Sequence, residues 1–149
     1  MAETAAPEGV TRCGFVAVLG APNAGKSTLV NRLVGTKVTI VSPKVQTTRR
    51  RVLGIWMVGS AQLILVDTPG IFAPRRRLDR AMVHAAWQGA GDADIVVVIV
   101  DSARPPIDED TQRIIDGLRQ AGRRASLALN KIDLVKRPTL LGLAERFNA

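Results

Sequence analysis

Gly20-Ala21-Pro22-Asn23-Ala24-Gly25-Lys26-Ser27 is the stretch that decides the fold of this 149-residue chain. It follows an apolar run, Phe15 to Leu19, and precedes a segment with helix-forming spacing, which is the context of a phosphate-binding P-loop. Two glycines let the backbone curl so that successive amide hydrogens face inward, and the next helix presents its positive end to bound phosphates. Lys26 is then placed to reach the β- and γ-phosphates, and Ser27 to hold magnesium. A simple glycine-rich turn is the alternative that this stretch alone leaves open.

The composition is that of one soluble globular domain with a sizeable core, since 46% of the residues are hydrophobic. The longest purely apolar run, Ile95 to Val100, is too short to span a bilayer, so no transmembrane segment is expected. Residues 1–12 show no periodicity and lack the pattern of a signal peptide, which predicts a flexible tail before a domain at 13–149. The single cysteine, Cys13, is expected to be a small buried residue in a reducing cytosol.

The net charge of +8 is unevenly distributed along the chain. Residues 1–90 carry 12 Lys and Arg against 4 Asp and Glu, whereas residues 91–149 carry 9 of each. The densest clusters are Arg49-Arg50-Arg51 and Arg75-Arg76-Arg77 with Arg80. Such clusters attract an RNA phosphate backbone, but no aromatic residues interleave them, so a solvated face remains the alternative.

Beyond the P-loop the hydrophobic pattern alternates between strands and helices. A hairpin around Gly59-Ser60 makes one strand antiparallel, and Lys37 to Arg51 is expected to be a long loop. On the helix from about Leu78 to Gln88, His84 and Trp87 are interpreted as packing residues. The other predicted elements are a helix at Thr28–Val34 stopped by Gly35, hairpin strands at Leu53–Val58 and Ala61–Val66, strands at Ile95–Val100 and Ala125–Leu129, and helices at Ile107–Gly122 and Thr139–Phe147. This order predicts an α/β fold, a three-layer α/β/α sandwich with a mostly parallel sheet and one antiparallel strand.

Two further motifs stand at the carboxyl ends of predicted strands. Asp67-Thr68-Pro69-Gly70 can bind magnesium through Asp67 and approach a γ-phosphate with the Gly70 amide, although Asp67 alone could be a turn residue. Asn130-Lys131-Ile132-Asp133 discriminates between bases, because the Asp133 carboxylate can accept two hydrogen bonds from guanine N1 and N2, and adenine has no such donor pair. Three motifs in this order predict a guanine-nucleotide site at one edge of the sheet.

With these motifs the chain resembles the translation-factor-like class of small GTPases, and more closely the Era family of ribosome-associated GTPases, from about Cys13 to Ala149. The distinguishing piece is Ser42-x-Lys44-x-Gln46-Thr47-Thr48-Arg49-x-Arg51, where the related Der and MnmE families usually carry Gly-x-Thr-Arg-Asp-like segments. The resemblance implies GTP hydrolysis by a molecular switch that acts in small ribosomal subunit assembly and rRNA maturation. It also implies a cytoplasmic location, with peripheral association with the inner face of the cell membrane. Relative to the family, the chain stops before the Ser-Ala guanine loop, the last strand and helix of the G domain, and the RNA-binding KH domain, so the fold is expected to be incomplete at its C-terminus.

The resemblance also implies a role for each motif residue. Thr48, or alternatively Thr47, is the switch threonine that completes magnesium coordination, although either threonine could instead cap a turn. Lys26, Thr48 and Asn23 are the implied catalytic residues, and Ser27, Thr48 and Asp67 the implied magnesium ligands. The implied GTP- and GDP-binding residues are Gly20, Ala21, Pro22, Asn23, Ala24, Gly25, Lys26, Ser27, Thr28, Asp67, Thr68, Pro69, Gly70, Asn130, Lys131, Ile132 and Asp133.

The expected mechanism departs from that of many GTPases at Ile71, which occupies the position of a water-orienting glutamine. Because an isoleucine side chain cannot hydrogen-bond water, intrinsic turnover is expected to be slow. Asn23 is expected by resemblance to help hold a potassium ion, and its alternative is a turn residue of the P-loop. Three alternative functions stay open: a GTP-binding module without productive cycling, the G domain of a Der- or MnmE-like GTPase, and a basic RNA-binding fragment.

Overall fold

The computed structural model describes residues 11–36, 52–68, 77–104 and 108–148. The predicted loop from Lys37 to Arg51 lies outside these residues, as do residues 1–10 of the predicted tail, whereas Arg12 already belongs to a strand. The elements in chain order are β1 (Arg12–Gly20), α1 (Lys26–Val34), β2 (Val52–Val58), β3 (Ala61–Asp67), α2 (Arg77–Asp92), β4 (Ile95–Asp101), α3 (Glu109–Gln120), β5 (Ser126–Asn130) and α4 (Arg137–Asn148). None of the helices in these ranges is long and apolar enough to cross a membrane.

The five strands form one sheet in the order β2-β3-β1-β4-β5. β1 pairs in parallel with β3 and β4, and β4 pairs in parallel with β5. Only β2 runs antiparallel to its neighbour β3, because the two strands are joined by the Gly59-Ser60 turn. The predicted sheet, mostly parallel with one antiparallel strand, is therefore confirmed.

Alternate residues of the central strands supply two separate cores, one on each face of the sheet. On one face, Val16 and Val18 of β1 pack with Val30 of α1, which is fully buried. On the other face, Leu19 of β1 packs with α2 and α3, where Ile114 is fully buried. The helices thus cover both faces, which confirms the predicted three-layer arrangement and explains the continuous apolar run of β1.

Two side chains differ from the sequence prediction in their burial. Cys13 is exposed, because it lies near the start of β1, before the buried stretch of that strand begins at Val16. His84 is also exposed, whereas Trp87 on the same helix packs against the second core. The predictions that Cys13 is buried and that His84 packs are therefore wrong, whereas the packing role predicted for Trp87 is confirmed.

Trp87 packs so closely on Gly117 of α3 that substitution of this glycine is expected to destabilise the fold. A Cβ atom on Gly117 would come within 2.6 Å of Trp87 Cζ2. Alanine favours a helix over glycine by about 1 kcal/mol, but overpacking against a rigid indole costs about 1–3 kcal/mol, so we expect Gly117→Ala to lower the melting temperature. Gly142→Ala is the matched control in α4, since among the described residues no atom beyond its chain neighbours and its own helix backbone lies within 4 Å of the added Cβ, and it is expected to raise the melting temperature. Equal shifts in the two variants would contradict the packing argument.

Candidate functional site

The P-loop connects the end of β1 to the start of α1, and its backbone requires glycine at two positions. Gly25 has φ of 101°, a left-handed conformation that residues with a Cβ atom rarely adopt. A Cβ atom on Gly20 would lie 2.8 Å from the carbonyl oxygen of Ile99, so only glycine lets the loop leave the sheet here. Asn23 is also left-handed, with φ of 63°, which asparagine tolerates better than most residues. The loop is therefore held in an open curl before the first turn of α1.

Lys26 is buried beneath this curl, and its Nζ donates a hydrogen bond to the Ala21 carbonyl oxygen at 2.9 Å. Burial lowers the pKa of Lys26 from 10.5 to about 8, and the charge of Asp67 partly opposes this shift. The loop therefore holds a poorly solvated amine that an anion would stabilise in its charged form. This is the behaviour expected of a phosphate-binding lysine.

Ser27 and Asp67 meet beside Lys26, although 40 residues separate them in the chain. The Ser27 hydroxyl donates to Asp67 Oδ2 at 2.7 Å, and Asp67 is fully buried at the end of β3. Carboxylate and hydroxyl oxygens are hard donors of the kind that Mg²⁺ prefers, so these two residues fit a magnesium ion. No group of three or more His, Cys, Asp or Glu side chains is placed to hold a metal within the described ranges, so phosphate oxygens and water would complete the coordination.

Thr68 has a different position from the other predicted ligands. Its side chain is fully buried, and its hydroxyl donates to the carbonyl oxygen of Val18 at 2.8 Å. This hydrogen bond ties the end of β3 to β1 and so fixes the place of the neighbouring Asp67. Pro69, Gly70, Ile71, Thr47 and Thr48 lie outside the described residues, so their predicted roles stay predictions.

Asn130 and Lys131, at the end of β5, reach across to the P-loop. Asn130 Nδ2 donates to the Ala24 carbonyl oxygen at 2.9 Å, and Lys131 Nζ donates to the Asn23 carbonyl oxygen at 3.0 Å. Asp133 lies just beyond them, exposed on a short 3-10 turn from Ile132 to Leu134. The structure thus brings the predicted base-recognition motif against the phosphate loop and leaves the Asp133 carboxylate on the surface beside it.

Sequence reasoning did not find Asp101, which terminates β4 and whose Oδ2 accepts a hydrogen bond from Lys131 Nζ at 2.7 Å. The available signal was its position, because it follows a buried strand as Asp67 and Asn130 do. The carboxyl ends of parallel strands meet at one edge of a sheet, and ligands bind there in open α/β folds. Asp101 therefore belongs to the same edge as the three motifs.

Comparison with known proteins agrees with this geometry. Residues 15–131 match the family model described as 50S ribosome-binding GTPase. The chain is 58% identical over 147 residues to GTPase Era of Bradyrhizobium sp. (strain ORS 278), covering 99% of this chain and 48% of the relative. It is 62% identical to GTPase Era of Afipia carboxidovorans, covering 93% of this chain and 44% of the relative. The chain therefore spans about half the length of the curated relatives it matches.

Two solved structures share the fold at a level that allows detailed comparison. An Aquifex aeolicus Era variant bound to GDP·AlF4⁻ has a TM-score of 0.84 and 37% identity, over 93% of this chain and 47% of that one. Era in complex with MgGDPNP and nucleotides 1506–1542 of 16S ribosomal RNA has a TM-score of 0.86 and 36% identity, over the same shares of the two chains. From its matched residues and its fold, the chain belongs to the 50S ribosome-binding GTPase family, and within that family to the Era GTPases.

Proposed function

We propose that this chain binds GTP with Mg²⁺ and hydrolyses it to GDP and phosphate. The observation that carries the proposal is the pair of hydrogen bonds from Asn130 and Lys131 to consecutive P-loop carbonyl oxygens. These contacts support the proposal because they join the predicted base-recognition motif and the phosphate loop at one edge of the sheet, where a single nucleotide could contact both. The Ser27 and Asp67 oxygens lie at the other end of the same loop.

The chemical roles follow from the positions of the side chains. The first turn of α1 and the inward amides of the P-loop would bind the phosphate oxygens, and the Lys26 ammonium would leave the Ala21 carbonyl to neutralise charge on them. Magnesium, when bound by Ser27 and Asp67, would supply further charge compensation for the transferred phosphoryl group. Thr48 is proposed to complete the coordination of the metal. Asp133 would select guanine over adenine by accepting two hydrogen bonds from the base.

The cellular role proposed for the chain is that of a switch in small ribosomal subunit assembly and rRNA maturation, in the cytoplasm or against the inner face of the cell membrane. Support for an RNA partner comes from the Era relative that was solved with a segment of 16S ribosomal RNA. The charge surplus of residues 1–90 is also consistent with an RNA partner, although a solvated basic face would have the same composition. The rival proposal is a module that binds GTP without productive cycling.

A single-turnover experiment separates hydrolysis from binding alone. The purified chain is mixed in excess with labelled GTP and Mg²⁺, and the formation of GDP is followed with time. We expect slow conversion that stops when EDTA removes the metal. Tight binding of GTP without GDP formation would support the module that does not cycle. In a separate RNA titration, an affinity that falls in high salt and does not respond to GTP would support an RNA-binding fragment.

Potassium is proposed to accelerate this turnover relative to sodium. Asn23 lies in the P-loop beside the phosphate site, and Ile71 cannot orient the attacking water through its side chain. A monovalent cation held near Asn23 could provide the charge that an arginine finger provides in other GTPases, which is worth a large factor in rate. We expect turnover at least about tenfold faster in potassium chloride than in sodium chloride at equal ionic strength. Equal rates in the two salts would exclude this role and leave Asn23 as a turn residue.

A further inference from the structure

The geometry points to Asp101 as a positioning residue for nucleotide binding, one that lies outside the P-loop and both downstream motifs. Its carboxylate holds Lys131 in the place from which Lys131 fixes the phosphate loop. This inference rests on the proposed function and adds to it a link between the end of β4 and the loop that would carry the phosphates.

Asp101 is built into the edge of the sheet. Its register partner in β5 is Asn130, and only 8% of its side chain is exposed. Oδ1 accepts a hydrogen bond from the Ala103 amide at 3.0 Å, which fixes the orientation of the carboxylate. Oδ2 then accepts from Lys131 Nζ at 2.7 Å. The other cation near it, Arg104, is 3.7 Å away with a side chain that is 48% exposed, so Lys131 is the principal partner.

The same Lys131 ammonium joins the carboxylate to the P-loop. Nζ donates to the Asn23 carbonyl oxygen at 3.0 Å while it contacts Asp101, and Asn130 Nδ2 holds the next carbonyl, that of Ala24, at 2.9 Å. In a trans peptide unit the carbonyl and the following N–H point in opposite directions. Two carbonyls drawn toward β5 therefore turn the amides of Ala24 and Gly25 the other way. The orientation of the loop amides thus depends on where Lys131 is held.

Without the carboxylate, Lys131 would lose this constraint. Its side chain is 35% exposed, so the ammonium can turn toward water if no anion retains it. The hydrogen bond between Lys131 and Asp101 is short and charge-assisted, and its Asp101 partner is buried. Its loss is therefore expected to weaken nucleotide binding by about tenfold. Neither the chemistry at the γ-phosphate nor the folded sheet requires the carboxylate directly. The side-chain amide oxygen of an asparagine at position 101 can accept the hydrogen bond from the Ala103 amide equally well.

The test is a double-mutant cycle on GDP affinity, with Asp101→Asn and Lys131→Met. Asp101→Asn is expected to raise the Kd for GDP about tenfold in the native background and not to raise it further in the Lys131→Met background. In single-turnover hydrolysis by Asp101→Asn, the loss is expected mainly as a higher GTP concentration at half-maximal rate and less in the rate at saturation. Asp116→Asn is the matched control, since Asp116 accepts a hydrogen bond from Gln112 on the exposed surface of α3, and it is expected to leave the Kd unchanged.

A second measurement needs no nucleotide. The Ala24 amide donates to the Ala21 carbonyl oxygen at 3.2 Å, so its hydrogen exchange reports how firmly the loop is held. Asp101→Asn is expected to speed this exchange severalfold, whereas Asp116→Asn is not. A tenfold loss that persists in the Lys131→Met background, or unchanged Kd and exchange in Asp101→Asn, would overturn the inference. If the native chain bound neither GDP nor GTP, the proposed function would fail, and the exchange measurement would still decide the role of Asp101 in the loop.

Discussion

Lys26→Met is expected to reduce GTP affinity by at least about 100-fold and to raise the melting temperature of the nucleotide-free chain. Lys26 is the buried cation of the phosphate loop, and charge-assisted hydrogen bonds to two phosphates are worth about 3 kcal/mol or more together. In the nucleotide-free chain the same charged amine destabilises the fold, because desolvation lowers its pKa to about 8 and outweighs the attraction of Asp67. Methionine fills similar space without a charge to desolvate.

The matched control for this change is Arg32→Met on the same helix. Arg32 is exposed near the end of α1, so its replacement removes one positive charge without touching the P-loop. Isothermal titration with GTP and Mg²⁺, and thermal melts without nucleotide, measure both effects. Affinity within threefold of the native value would mean that Lys26 does not contact phosphate. A lower melting temperature would mean that burial of the amine is not the destabilising feature that its pKa indicates.

Asp133→Asn is expected to change the base preference of the site from guanine to xanthine. The Asp133 carboxylate can accept from guanine N1 and N2, whereas an amide can donate to the additional carbonyl of xanthine. Loss of two hydrogen bonds to a charged acceptor predicts a fall in GTP affinity of about 100-fold, with a gain in xanthosine triphosphate affinity. Competition binding of the two nucleotides gives both values in one experiment.

Asp116→Asn serves again as the control, since it makes the same chemical change on α3, away from the site. An unchanged ratio of GTP to xanthosine triphosphate affinity in Asp133→Asn would show that another group reads the base. A loss of affinity for both nucleotides would instead indicate that the substitution disturbs the Lys131 contacts with the P-loop.

The sequence predicted the parts of the fold that local chemistry decides. The helix stop at Gly35 depends on a glycine with positive φ, and the structure confirms it, although the helix begins at Lys26, two residues before the predicted Thr28. The hairpin from Val52 to Asp67 also follows from strand alternation around one turn. Such signals lie within a few residues of the feature that they predict.

Some features that depend on a particular contact between distant residues were not predicted. The helix α2 continues through Gly89 and Gly91 to Asp92, four residues beyond the predicted end at Gln88. Arg123, about 30 residues later, donates to the Ala90 and Ala93 carbonyl oxygens at 2.7 and 2.5 Å and so stabilises the end of this helix. When a distant side chain caps the end of a helix, the residues near that end carry no sequence pattern that predicts where the helix stops.

The candidate site divides in the same way. Its motif residues could be chosen from spacing, because each motif directly follows a strand. The contact between Asp101 and Lys131 could not, since it requires the register that sets Asp101 beside Asn130 across β4 and β5. Similarly, the fully buried position of Thr68 depends on its hydrogen bond to Val18, 50 residues earlier.

The central claim is that the P-loop and the Asn130–Asp133 motif together form one guanine-nucleotide site. Equilibrium titration of the chain with GDP and with ADP, both with Mg²⁺, tests it most directly. Because Asp133 would pair with guanine and would leave its carboxylate unsatisfied against adenine, we expect GDP to bind at least about 100-fold more tightly than ADP. Equal affinity for the two nucleotides would show that the motif at the end of β5 does not read the base, and would contradict the account.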